Sequence, residues 1–223
     1  MLKRFAVVDT ETIGIENPLV YDFAVSIVDR NGHVYEDYNV LIGDVITDAS
    51  LMKDAFYHKK VYTHYIPMLS AGLVKLAHWD TAIAKFRSML AIHNVGAVCA
   101  YNMNFDVGAM WKTHLRFGND KNNLTGGEYQ RLCLWRFVVD AILSRPKYQK
   151  IATELGWFKS STGNVITNAE KAYAYISGEW GFCEDHTAMS DVRIETEILL
   201  ACLKQKGKIP YDVLKTNPWK DAQ

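Results

Sequence analysis

The chain is 223 residues long with 25 basic and 25 acidic side chains, a formal charge of zero at pH 7. That balance excludes the global positive field that steers strongly basic proteins to nucleic acid, so any nucleic-acid contact has to be local. The length suits one well-filled α/β domain over 1–223, with no Gly/Ser or Pro run to mark a linker. Cys99, Cys133, Cys183 and Cys202 are far apart and form no Cys-x-x-Cys pair, which argues against a zinc knuckle or a disulfide framework. With no secretory leader and no apolar run of about 18 residues, the expected setting is soluble and cytoplasmic, with reduced thiols and no membrane contact.

Residues 4–9 read as a first strand. From 20 to 28, Tyr21, Phe23, Val25 and Ile27 alternate with Val20, Asp22, Ala24 and Ser26, the pattern of a half-buried strand. Asp29-Arg30-Asn31-Gly32 supplies an Asn-Gly turn, and 33–42 return as a third strand of an antiparallel meander. Residues 48–78, with three histidines and Pro67, predict short helices and loops. Ile83, Phe86, Met89 and Leu90 at helical spacing predict a helix over 80–93, and Ala97 to Tyr101 a short apolar strand. Asn104 is then placed to cap a helix running through Trp111 and Leu115. A strand over 136–140, a helix near 146–155 and a last helix from about 187 to 205 complete the order. Within 157–185, Thr167-Asn168-Ala169-Glu170 has the pattern of a capping box ahead of Ala172, Tyr173, Tyr175 and Ile176, so an extra helix is expected there.

Three short motifs carry the chemistry: Val7-Val8-Asp9-Thr10-Glu11-Thr12, Asn102-Met103-Asn104-Phe105-Asp106, and His186-Thr187-Ala188-Met189-Ser190-Asp191. Two residues apart on a strand means one face, so Asp9 and Glu11 can hold cations side by side. Carboxylates beside turns, or in the first turn of a helix, are ordinary taken singly. What singles these out is that the predicted order brings the first strand, the second-motif helix and the last helix together. Carboxylates suit the oxygen preference of magnesium or manganese, and the motifs hold no Cys/His set that would suit zinc.

In this order and at these distances the motifs resemble the DnaQ-like 3′→5′ exonucleases, the DEDDh class of four carboxylates and a histidine. The resemblance runs from about the fifth residue to beyond the two-hundredth. It implies an α/β, ribonuclease-H-like fold: a mixed five-stranded sheet, three antiparallel strands then two more, flanked by helices. It also implies two Mg2+ ions, with Mn2+ able to substitute, held by Asp9, Glu11, Asp106 and Asp191, with Asp9 bridging both. His186, with Glu11, would be catalytic, the histidine acting as general base toward the attacking water. Thr187 stands four residues before Asp191, where a sister subclass carries a tyrosine base; hence the histidine subclass. Thr12 and the backbone beside Glu11 would meet the terminal 3′ hydroxyl, with Thr10 and Asn102 also in the substrate site. Phe105 would stack on the last base or wedge between the final two.

Lys59, Lys60, Arg116, Lys121, Arg145 and Lys147 are candidates for backbone phosphates, whereas His33, His58, His64, His78, His93 and His114 read as structural or exposed. The 157–185 insertion departs from the usual family pattern, resembles something carried by virus-encoded relatives, and either covers the active site or packs beside it. The activity implied is release of nucleoside 5′-monophosphates from 3′ ends, single-stranded DNA first, RNA or short oligonucleotides as the alternative. With no polymerase domain or clamp-binding tail evident, a stand-alone trimming enzyme is expected; a proofreading subunit acting in trans and an inactive binding module of the same fold are the rivals. A homodimer is left open.

Overall fold

The apolar run after Arg4 opens β1 (Arg4–Thr12), which pairs antiparallel with β2 (Val20–Val28), itself antiparallel to β3 (Val34–Ile42). The structure, a computed structural model, describes residues 4–53, 55–120, 124–206 and 208–211. Two single-turn helices, α1 (Gly43–Ile46) and α2 (Ala49–Met52), lead to a π-helical turn at Val61–Tyr65, α3 (Ile66–Ser70) and a short β4 (Lys75–Ala77). Then follow α4 (Trp79–Ile92), β5 (Val95–Ala100), α5 (Met103–Phe117), β6 (Gln130–Cys133), α6 (Leu134–Val138), α7 (Pro146–Glu154), α8 (Ala169–Ser177) and α9 (Ala188–Gln205). The sheet order is β4-β3-β2-β1-β5-β6, with β3–β4, β1–β5 and β5–β6 parallel.

This is the ribonuclease-H-like arrangement expected, with six strands rather than five among the described residues, because Lys75–Ala77 adds a short parallel edge beside β3. One core fills the face covered by α4 and α5, around Phe23, Trp79, Phe86 and Met110. The other lies under α6 to α9, around Phe137, Tyr148, Val192 and Leu199. All nine residues of β2 are buried. The polar half of its alternation, Asp22 and Ser26, meets α9 instead of solvent, so the half-buried reading is corrected by a second helical layer.

The predicted strand over 136–140 is helix: α6 runs into a π-helical turn at Val139–Leu143, and the strand that joins β5 is 130–133. Leu134, Phe137, Val138 and Ala141 are all buried, an i, i+3, i+4, i+7 stripe that outweighs the β-branched pair Val138-Val139. Helix α5 starts two residues earlier than predicted, with Asn102 rather than Asn104 at the N-cap. In the insertion, Asn168, not Thr167, caps α8 by accepting from the Lys171 amide, and Gly178 in the left-handed region ends it. No helix among the described residues is long and apolar enough to cross a membrane.

Candidate active site

The sheet register aims the first acidic pair. Asp9 lies opposite Ala24 and Glu11 opposite Asp22, and the register slips just after Glu11, where the chain turns away. At the start of α5, the Asn102 carbonyl accepts from the amides of Phe105 (2.8 Å) and Asp106 (3.3 Å), fixing the first turn. Asp106 then accepts from Thr10 Oγ1 at 2.9 Å, which ties the second motif to β1. At the start of α9 the Ala188 amide donates to Asp22 Oδ2 (3.0 Å), so a β2 carboxylate serves as the cap that Thr187 does not supply. That bond sets Asp191, in the first turn of α9, against β1.

The result is a cleft of about 190 Å³ whose wall carries Asp9, Asp106, Glu184, Asp191 and Glu195, with Tyr101 and Phe105 beside them. Ligand atoms of Glu11, His186 and Asp191 lie within 4.8 Å of one another. Burial and mutual repulsion both push these groups toward their neutral forms. Glu11 is raised to about 9 by burial, then by Asp191 and Asp22. Asp191 is raised to about 8 by burial, then by Glu184 and Asp185. Burial lifts Asp106 to about 7 against the Thr10 hydrogen bond, and Asp9 is held well above the carboxylate range by burial, Glu195 and Asp106. Asp191 Oδ1 is buried with no hydrogen-bond partner. An acceptor-only set of this kind, with an unused buried oxygen, fits a hard divalent cation bound through oxygen.

His186 sits at φ 51°, a left-handed conformation uncommon for a residue with a Cβ. It is held from two sides. Its ring stacks on Tyr57 at 4.7 Å between centroids, and Lys60 Nζ donates to its carbonyl at 2.6 Å and to that of Asp185. Nδ1 lies 3.5 Å from Glu184 Oε2, and burial and the Lys60 charge hold the imidazole below its ordinary pKa. A neutral ring with Nδ1 near the Glu184 carboxylate and a ring nitrogen within 4.8 Å of Glu11 and Asp191 is suited to accept a proton.

The structure thus brings Asp9, Glu11, Asp106, His186 and Asp191 to one place. Thr10 is buried and committed to Asp106, while the Thr12 hydroxyl donates to the Gly14 carbonyl at 3.1 Å; both are engaged within the protein. Asn102 and Phe105 border the cleft, and the Asn102 side chain makes no cap bond. Of the phosphate candidates, Lys60 is spent on the histidine loop, Lys59, Arg116, Arg145 and Lys147 are exposed away from the cleft wall, and Lys121 lies outside the described residues. None of the other histidines lines the cleft: His93 meets Glu36, His78 meets Asp44, and His114 is in the core against Trp79.

Sequence reasoning missed Asp22, Glu184, Glu195 and Tyr57. Glu195 had a signal, since it falls one helical turn after Asp191 on the same face; the others come from long-range packing.

The insertion packs. Tyr148, Trp157, Tyr175 and Trp180 form one ring cluster, with Tyr148 and Tyr175 edge to face at 5.0 Å. Its near end still reaches the site, where Ala169 borders the cleft and Glu170 Oε2 accepts from the Glu184 amide at 3.2 Å.

No protein-family model matches the chain, and no curated sequence matches it. Among solved structures it is similar to E. coli exonuclease I in complex with a 5cy-dA13 oligonucleotide, at 16% identity and TM-score 0.56, over 92% of this chain and 41% of that one. A moderately thermophilic exonuclease I from Methylocaldum szegediense aligns at 15% identity and TM-score 0.60, over 92% of this chain and 41% of the other. The zinc-ion-bound E. coli exonuclease I–ssDNA complex aligns at 14% and 0.55, over 93% and 42%. The chain spans about two fifths of the length of these neighbours. At such identity the likeness is one of fold: the chain has the ribonuclease-H-like fold found in exonuclease I.

Proposed function

We propose that this chain is a cation-dependent 3′→5′ exonuclease of the DEDDh class, acting as a single domain on single-stranded DNA and releasing nucleoside 5′-monophosphates. The observation that carries it is the meeting of Asp9, Asp106 and Asp191 from β1, α5 and α9 in one cleft, with Glu11 and His186 within ligand distance of Asp191. Asp9, Glu11, Asp106 and Asp191 would hold two Mg2+ ions, or Mn2+. Bound there, such ions supply an activated water, an in-line arrangement and neutralisation of charge on the leaving oxygen.

The remaining work falls to the chain's own side chains. His186 takes the proton from the attacking water, and the Tyr57 stack and Lys60 hold its loop toward Glu11 and Asp191. Phe105, half-buried at the cleft, offers a ring face that any base can stack on. Thr10 keeps Asp106 ionisable by donating to it. The oligonucleotides in the neighbouring exonuclease I structures favour DNA as the first substrate to try.

The test is digestion of matched single-stranded DNA, duplex DNA and RNA, each labelled at either end, with Mg2+. Single-stranded DNA shortened only from its 3′ end supports the proposal. Equal or faster loss of RNA would move it to an exoribonuclease, and binding without any cleavage would favour an inactive module of the same fold.

A further inference from the structure

Glu184 belongs to no motif that marked the site, yet its side chain lines the same cleft as Asp9, Asp106, Asp191 and Glu195. The side chain is 9% exposed, and Oε1 is buried without any hydrogen-bond partner. Its other oxygen has only the 3.5 Å approach of His186 Nδ1. The two cations nearest in influence are engaged elsewhere: Lys171 Nζ pairs with Glu170 Oε1 at 2.7 Å, and Lys60 Nζ is used by the carbonyls of Asp185 and His186. The backbone of Glu184 is fixed separately, by its amide donating to Glu170 Oε2. Its carboxylate is therefore aimed into the cleft by the fold and has no protein partner there that would repay its burial.

Asp191 presents the same pattern across the cleft. Its Oδ1 is likewise buried and unpartnered, and Glu184 is the foremost charge acting on it. Two buried carboxylates with unused oxygens on one small cleft repel each other unless a cation lies between or beside them.

We infer that Glu184 is an additional carboxylate of the cation centre, acting on the Asp191 side either as a direct oxygen ligand or through a coordinated water. The inference rests on the metal-dependent reading proposed above and adds to it a residue outside the DEDDh set. It gives the insertion a definite duty, because Glu170 at the start of α8 holds the Glu184 backbone.

The experiment is Mn2+ binding to the full chain without nucleic acid, followed by calorimetry and by electron paramagnetic resonance of free Mn2+, for wild type, Glu184→Gln and Glu184→Ala. Both variants are expected to bind Mn2+ about tenfold or more weakly at the centre. Without metal, Glu184→Gln is expected to melt at or above the wild-type temperature, since it removes one repelling charge. Affinities within twofold of wild type in both variants would overturn the inference while leaving the metal reading intact, as would a Gln variant less stable than wild type without metal. A wild-type chain that binds no Mn2+ would overturn both.

Discussion

Asp22 on β2 accepts a hydrogen bond from the Ala188 amide at 3.0 Å, 166 residues later in the chain, and also from Asn39 Nδ2 and Tyr65 Oη. It is an N-cap supplied by the sheet, and it decides where α9 begins and hence where Asp191 points. Asp22→Ala strands three donors, and the expected cost is about 2 kcal/mol or more in urea unfolding. Turnover should fall about 10- to 100-fold, because Asp191 would no longer be held against β1. A variant with wild-type stability would show that water replaces this cap without loss.

Asp9→Ala and Asp106→Ala are expected to abolish cleavage while leaving the metal-free melting temperature unchanged or higher. Each substitution removes a member of a mutually repelling set along with a cation ligand. Near-normal turnover with Mg2+ in either variant would remove that residue from the cation centre.

His186→Ala should lower turnover by roughly 10²- to 10⁴-fold, the range for loss of a positioned base, with little effect on Mn2+ affinity. Activity of the wild type should rise with pH on an acid limb set below the ordinary histidine range, since burial and Lys60 both depress the His186 pKa. Lys60→Met removes one of those influences, so its acid limb should shift to higher pH, together with a fall in turnover as the loop loses its tether. An unmoved limb in the Met variant would place Lys60 outside the control of His186.

Metal-free stability should depend on pH in a defined direction. Glu11, Asp191 and Asp106 have folded values of about 9, 8 and 7, above their unfolded values of 4.5, 3.8 and 3.8. Between those limits the folded state binds more protons than the unfolded one, so stability is greatest at low pH and is lost as pH rises through about 4 to 9. Mg2+ should cancel much of that loss by favouring the ionised forms. Thermal melts across this window, with EDTA and with Mg2+, test it; curves that rise with pH in EDTA would mean the cluster is ionised and compensated without metal.

Much of this was legible in the chain. The alternation over 20–28, the Asn-Gly turn and the apolar stripe 83–90 reappear as β2, the β2–β3 turn and α4, because local periodicity and turn chemistry agree with the packing there. The acidic motifs could be assigned to a strand end and two helix starts, which is where Asp9, Glu11, Asp106 and Asp191 lie. The expected strand over 136–140 is helix because the buried stripe from Leu134 to Ala141 has helical spacing, and the segment is too short for periodicity alone to separate a buried strand from a buried helix. Asp22 and Tyr57 were not legible, since their roles depend on partners far along the chain, Ala188 for Asp22 and His186 for Tyr57, and although Glu184 stands two residues before His186, its place in the cleft with Asp9 and Asp106 is set by packing. No periodicity records such contacts.

The most direct measurement is the product distribution from a 5′-labelled single-stranded DNA oligonucleotide incubated with the full chain, once with Mg2+ and once with EDTA. A cation-dependent 3′→5′ exonuclease gives, with Mg2+, a nested ladder shortening one nucleotide at a time together with nucleoside 5′-monophosphates, and gives nothing with EDTA. Internal cuts, release of the labelled 5′ nucleotide first, or a ladder that persists in EDTA would contradict it.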